Sequence, residues 1–209
     1  MKIVVFGASG GTGLKVVGQA LNAGHSVTAF IRTPSKLMIQ HSNLILFQSD
    51  VMDAAAVERV IAGQDVVIST LGPTRPFIPG MMKAAAQNIL AGMHKQGVRR
   101  IISTTGAGVR DPQDKPQLID HLMKGLLTLL ARNVLVDSAA NAELIRSSDL
   151  EWTIARFPRL VDGKHTGNYR VGYLGKDSGS QISRDDGADF ILKELIEKKW
   201  IRKMPVISY

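Results

Sequence analysis

Three glycines near the start of the chain recur at a spacing of three residues, in the segment Gly7-Ala8-Ser9-Gly10-Gly11-Thr12-Gly13. A short β-branched run at residues 2–6 precedes this segment, and a helical pattern of leucine and valine follows it. Between a strand and a helix, glycines allow a tight turn and a close approach of the backbone to a pyrophosphate, which the helix N-terminus attracts. We therefore predict that Gly7, Ser9, Gly10, Gly11, Thr12 and Gly13 bind the phosphates of a nucleotide.

Basic residues occupy the place where NAD-binding proteins carry an acidic one. That place is the end of the second predicted strand, about 20 residues past the glycines. It holds Arg32, with Lys36 one turn later. An acid there would repel a 2′-phosphate, whereas a guanidinium binds it through two parallel hydrogen bonds. The sequence predicts NADPH/NADP+ as the cofactor, and the alternative for Arg32 is a solvent-facing residue at a strand end.

The glycine spacing resembles that of the short-chain dehydrogenase/reductase superfamily, especially its extended and atypical branches. Most members pair a tyrosine with a lysine four residues later, and the phenol then exchanges a proton with the substrate. Tyr169, Tyr173 and Tyr209 are the tyrosines of this chain, and none has a lysine at that spacing. Alcohol dehydrogenation and sugar-nucleotide epimerisation are therefore not expected. A conjugated acceptor that takes up hydride, with the proton coming from water, fits the sequence better.

The segments that must position these residues alternate between strand and helix. Strands are predicted at residues 2–6, 26–32, 44–48, 65–69, 100–104 and 151–156, with a hairpin at 169–174 and an edge strand at 204–207. Helices are predicted at residues 12–23, 54–62, 81–96, 117–148 (bent or divided near Asn133) and 183–199. This order predicts an α/β protein: a single-domain Rossmann fold over residues 1–209, with a doubly wound, mostly parallel sheet and helices on both faces. The loops at 72–80 and 106–116 then leave the carboxyl edge of the sheet, where ligands bind.

Composition excludes several classes of function. The chain has 209 residues, a net charge of +8 and no cysteine, which excludes disulfides, thiolate metal sites and a cysteine nucleophile. Its histidines show no metal-ligand spacing, so no metal is expected. The basic residues are scattered and aromatic residues are 5%, so nucleic-acid binding rests on charge alone and is not expected. The apolar run before Gly7 is too short for a signal peptide or a membrane helix, and we expect a cytoplasmic protein that binds no membrane.

A more specific resemblance runs through nearly the whole chain. Its segments are FGASGGTG, IRTPSKL, GQDVVISTLG, GVRRIIST, LIRSSDLEWTIARFP and ISRDDGADFIL. They resemble the atypical short-chain family that contains biliverdin-IXβ reductase, also called NADPH-dependent flavin reductase, and the broader NmrA-like NAD(P)H-binding proteins. The resemblance implies NADPH and an open, hydrophobic substrate pocket over the nicotinamide, with flavins such as FMN or biliverdins as substrates. The alternative is a non-catalytic NADP(H)-sensing regulatory protein of NmrA-like type.

The resemblance also implies roles for individual residues. It assigns the adenine edge to Asp50 and Val51, the stretch beside the ribose to Thr70, Leu71 and Gly72, and the nicotinamide surroundings to Thr104, Thr105, Phe157 and Pro158. Two positions depart from the mammalian flavin reductase pattern, because Gly106 replaces a serine and Arg159 replaces a histidine. We predict Thr105 and Arg159 as catalytic residues, and Arg75, Gly106, Arg110 and Arg159 as substrate contacts. A monomer or a weak homodimer is expected.

Overall fold

The structure of the protein, a computed structural model, describes residues 1–74, 76–115, 118–175 and 178–209. For residues 118–130 it describes only the backbone. Arg75, a predicted substrate contact, lies outside the described residues.

A central sheet dominates the described part of the chain. The strands are β1 (Lys2–Phe6), β2 (Ser26–Ile31), β3 (Leu44–Gln48), β4 (Val66–Ser69), β5 (Arg100–Gly106), β6 (Glu151–Phe157), β7 (Arg159–Val161), β8 (Arg170–Gly172), β9 (Gln181–Ser183) and β10 (Val206–Ser208). Eight of these described strands form the central sheet in the order β3-β2-β1-β4-β5-β6-β10-β8, in which β8 alone runs antiparallel to its neighbour. The helices are α1 (Gly11–Asn22), α2 (Ala54–Ile61), α3 (Met81–Gln96), α4 (Leu118–Arg146) and α5 (Arg184–Glu197). The predicted doubly wound Rossmann fold is confirmed.

Both faces of the sheet are buried, as the alternating residues of β1 show. Val4 and Phe6 belong to a core that also contains Ile61 of α2 and Ile89 of α3. Ile3 and Val5 point to the other side and join a second core with residues of α1 and α5. A strand that is apolar and buried from Ile3 to Phe6 therefore suits a sheet with helices on both faces.

The C-terminal strands differ from the prediction. The hairpin expected at residues 169–174 is wrong, because β8 pairs antiparallel with β10, so that Arg170 lies opposite Ser208. The strand expected at 204–207 is shifted to Val206–Ser208 and lies between β6 and β8 rather than at an edge. A small second sheet pairs β7 with β9 in parallel and was not predicted. The bend in α4 falls at Ala131 (φ −140°, ψ 33°), two residues before the predicted join.

The strand order reverses at β1, which lies between β2 and β4. Such a switch point opens a crevice at the carboxyl ends of the strands, because the connections on its two sides leave in opposite directions. The loop after β1 enters that crevice from the middle. The segments after β4, β5 and β6 flank it on one side and those after β2 and β3 on the other.

Candidate functional site

The glycine segment forms a tight turn between β1 and α1. Gly7 has a left-handed backbone (φ 78°), and a Cβ atom there would lie 2.8 Å from the carbonyl carbon and oxygen of Thr70. A Cβ atom on Gly13 would overlap the carbonyl oxygen of Gly7, so only glycine lets α1 start this close to the strand. The Thr70 hydroxyl donates to the carbonyl oxygens of Phe6 (3.0 Å) and Gly7 (3.2 Å), which ties the turn to the end of β4.

The N-cap residue of α1 has no side chain that could cap the helix. Gly10 occupies the N-cap position and offers no side-chain acceptor to the first N–H groups of the helix. These N–H groups stay available to an external anion, and the helix dipole adds a favourable positive potential. The turn and the uncapped helix therefore fit the pyrophosphate of a dinucleotide.

A cleft of about 580 Å³ runs along the carboxyl edge of the sheet. It brings together most of the residues predicted from the sequence: Gly7, Ser9, Gly10, Gly11, Thr12, Arg32, Asp50, Val51, Thr70, Leu71, Gly72, Thr104, Thr105, Gly106, Phe157 and Pro158. The volume lies within the usual range for small-molecule and cofactor sites. One continuous cleft thus joins the phosphate loop to the ends of β5 and β6.

Four predicted residues are not among those that line the cleft in the described part of the chain. Gly13 lies beneath the phosphate loop and allows the close packing just described. Lys36 is exposed in a short 3-10 turn, Pro34–Lys36. Arg159 is exposed on β7, although Pro158 beside it faces the cleft, and Arg110 is half-buried in the loop after β5. The predicted substrate roles of Arg110 and Arg159, and the predicted catalytic role of Arg159, stay predictions.

Arg32 and Asp50 face each other at the end of the cleft where β2 and β3 finish. Arg32 Nη1 lies 3.9 Å from Asp50 Oδ2, and the two side chains are 60% and 48% exposed. The other oxygen of Asp50 accepts a hydrogen bond from the backbone N–H of Met52 at 2.9 Å, which fixes the turn after β3. An ion pair this open to water is weak, so the guanidinium can bind a phosphate at little cost.

Several residues that line the cleft were not predicted: Phe30, Ile31, Met52, Pro73, Thr74, Ile78, Met81, Met82, Ser138, Leu160 and Arg184. Most are apolar and make the walls hydrophobic.

Ser138 lies on α4, and no residue pattern in that helix indicates a functional site. The residue before it, Asp137, is buried and accepts hydrogen bonds from the backbone N–H groups of Met82 (3.0 Å) and Lys83 (3.1 Å). Asp137 therefore caps α3 from α4 and fixes the position of Ser138 in the cleft.

A buried ion pair holds the loop after β5 against the sheet. Arg156 of β6 is fully buried and makes two hydrogen bonds of 2.7 Å to the carboxylate of Asp114. Its other N–H groups reach the carbonyl oxygens of Met204 (2.7 Å) and Val109 (3.1 Å), and the backbone N–H of Leu174 donates to Asp114 at 3.0 Å. Burial alone would raise the pKa of Asp114, but the hydrogen bonds from Arg156 and the backbone lower it overall.

One of the acidic residues at the start of α5, Asp186, has several hydrogen-bond partners. The hydroxyl of Ser183 accepts a hydrogen bond from the N–H of Asp186 at 3.0 Å and caps the helix. Asp186 is fully buried and accepts hydrogen bonds from the backbone N–H groups of Thr166 and Gly167 and from the hydroxyls of Thr166 and Tyr209. Burial opposes its charge, but these donors lower the pKa of Asp186 to about 2.

The sheet order and the cleft define a dinucleotide-binding protein with a Rossmann fold. A family model described as NAD(P)H-binding matches residues 7–198, and the chain belongs to that family. The cofactor is therefore NAD(P)H, and the expected membership of an NAD(P)H-binding family is confirmed.

One curated relative and two solved structures add detail. The (4-alkanoyl-5-oxo-2,5-dihydrofuran-3-yl)methyl phosphate reductase of Streptomyces griseus is 27% identical over 74% of this chain and 46% of its own length. A short-chain dehydrogenase/reductase of Veillonella parvula in complex with NADP has a TM-score of 0.84 and 17% identity, with 100% of this chain and 94% of that chain covered. ChuY, an anaerobillin reductase from Escherichia coli O157:H7, has a TM-score of 0.79 and 21% identity, with 100% and 97% covered. At these identities the two structures show the shared fold.

Among the residues that the structure describes, no helix is both long enough and apolar enough to cross a lipid bilayer.

Proposed function

We propose that the protein is an NADPH-dependent reductase that transfers hydride to a flavin or to a biliverdin-type conjugated acceptor. The observation that carries the proposal is the composition of the cleft. It combines a phosphate loop and Arg32 with hydrophobic walls, and the sequence has no Tyr-x-x-x-Lys pair to serve alcohol chemistry. Two reductases, one a sequence relative and one of the same fold, support the same general chemistry.

Different residues along the cleft have different roles in binding the cofactor and the acceptor. The phosphate loop binds the pyrophosphate, and Arg32 binds the 2′-phosphate. Phe157 and Pro158 exclude water beside the reacting ring, and the Thr105 hydroxyl supplies a hydrogen bond near it. The bound NADPH supplies the hydride. A conjugated acceptor delocalises the added charge and takes its proton from water, so catalysis depends mainly on holding two flat rings in contact.

The decisive experiment follows the absorbance of NADPH with purified protein, using FMN and a biliverdin as acceptors, each against a control without enzyme. Saturable oxidation of NADPH with either acceptor is the expected result. Tight NADPH binding with no oxidation by either acceptor would refute the reductase and favour the alternative function, a non-catalytic NADP(H) sensor of NmrA-like type. The acceptor, the cytoplasmic location and the monomer or weak homodimer stay predictions.

A further inference from the structure

Arg184 is a cation in the cleft that the proposed function does not use. It is the first residue of α5, and its side chain lines the cleft beside the phosphate loop. A Cβ atom on Gly11 would lie 2.7 Å from Arg184 Nε and 2.9 Å from its Cδ, so the arginine side chain crosses directly over the loop. Within the described residues, the cations that line the cleft are Arg32 and Arg184.

Asp162 holds the guanidinium of Arg184 in this structure. Arg184 Nη1 donates to Asp162 Oδ1 at 2.6 Å. The Asp162 side chain is 91% exposed, whereas that of Arg184 is 28% exposed. Water competes for so open a carboxylate, and the pair contributes little to stability. The guanidinium can therefore leave Asp162 for a stronger anion at low cost.

We propose that Arg184 binds the pyrophosphate of the NAD(P)H cofactor and exchanges Asp162 for a phosphate oxygen when the cofactor enters. The phosphate loop, residues 7–13, contains no basic side chain, so the loop supplies N–H groups but no full positive charge. A guanidinium that lies over Gly11 supplies that charge where the loop needs it, with donors arranged to bind phosphate oxygens. Arg32 and Arg184 then serve two different anions of one cofactor.

This inference deepens the proposed function, but it rests on cofactor binding and not on the acceptor. A protein that binds NADPH and reduces neither FMN nor biliverdin would refute the reductase alone. The test is therefore a binding experiment, in which dissociation constants are measured by calorimetry for NADPH, NADH and 2′-AMP. The three ligands separate the two anions, because 2′-AMP carries the 2′-phosphate without a pyrophosphate and NADH carries the pyrophosphate without a 2′-phosphate.

In Arg184→Ala, affinity for NADPH and for NADH should fall by the same factor, roughly ten- to a hundredfold, as expected for a lost charge-assisted hydrogen bond. Affinity for 2′-AMP should not change. The matched control is Lys15→Ala, which removes a charge that pairs with Asp185 at 2.9 Å and that is not among the described residues lining the cleft. It should leave all three affinities unchanged.

Asp162→Ala provides an independent test that does not depend on the folding of the Arg184 variant. The substitution frees the guanidinium, so NADPH and NADH should bind more tightly than to the unmodified protein. Unchanged NADPH affinity in Arg184→Ala would overturn the proposal. It would also be overturned if Asp162→Ala weakened NADPH binding as much as Arg184→Ala does, because the pair would then be a structural brace.

Discussion

Replacing Arg32 with alanine removes the positive charge that faces Asp50 at one end of the cleft. In the unmodified protein the two groups are 3.9 Å apart and both are open to water. We expect Arg32 to give the 2′-phosphate one or two charge-assisted hydrogen bonds, worth about 1.5–3 kcal/mol in total at so exposed a site. The variant should therefore bind NADPH roughly ten- to a hundredfold more weakly. The carboxylate of Asp50, left without its partner, should add to this loss by repelling the phosphate.

The assay is quenching of protein fluorescence by NADPH and, separately, by NADH. Because NADH has no 2′-phosphate, Arg32→Ala should leave its dissociation constant nearly unchanged. Arg59→Ala is the matched control, since Arg59 is an exposed arginine of α2 that is not among the described residues lining the cleft. Equal losses for the two cofactors, or an unchanged affinity for NADPH, would refute the assignment of Arg32 to the 2′-phosphate.

Three further substitutions test the phosphate loop and two buried carboxylates. Gly13→Ala forces a methyl group onto a carbonyl oxygen of the phosphate loop. The substitution should lower the free energy of unfolding, measured with urea, by about 1–3 kcal/mol, and it should abolish cofactor binding. Retained affinity for the cofactor would contradict the close packing. Asp114→Ala leaves Arg156 charged and buried, so the free energy of unfolding should fall by about 3–5 kcal/mol. The control is Asp149→Ala, which removes an exposed carboxylate and should change the free energy of unfolding little. The pKa of Asp186 in the folded state is lowered to about 2, so its ionised carboxylate stabilises the folded protein by about 2 kcal/mol. This stabilisation is present above about pH 4 and is lost as the pH falls toward 2. Asp186→Asn should abolish that part of the acid dependence of unfolding, and an identical pH profile would show that the carboxylate is not responsible.

The sequence was informative where structure follows from residues close together in the chain. The strand β3 and the helix α3 have the predicted bounds. The apolar run at residues 44–47 marks β3, and Gly80 and Gly97 mark the two ends of α3. The turn at Gly7 needs a positive φ, and the glycine triad signals it directly. Most residues assigned to the cleft could be predicted for the same reason. They lie at the ends of strands, and the alternation of strands and helices along the sequence locates those strands.

Features that depend on distant parts of the chain were not predictable in this way. The strand β8 pairs with β10, more than thirty residues later, and β7 pairs with β9 across a glycine-rich loop. Each of these strands is three residues long, too short to show a period. The local sequence therefore suggested a hairpin where the chain makes a long-range pairing.

Side chains that reach the cleft from other elements were missed for the same reason. Arg184 lies in a segment that was predicted to be helical, but nothing in that segment shows that α5 begins beside Gly11. Asp137 looks like any polar residue of a helix until α3 is placed against it. Arg156 stands in a strand and has no sequence signal that pairs it with Asp114, forty-two residues earlier.

The most direct test of the account is the fate of deuterium carried at both hydrogen positions of the reactive carbon of the nicotinamide in NADPH. A biliverdin is incubated with the protein and labelled NADPH in ordinary water, and the reduced pigment is examined by mass spectrometry. Transfer of hydride within the cleft predicts one carbon-bound deuterium in each molecule of product. Reduced pigment without the label, or NADPH that binds and is never oxidised by the pigment or by FMN, would contradict the central claim.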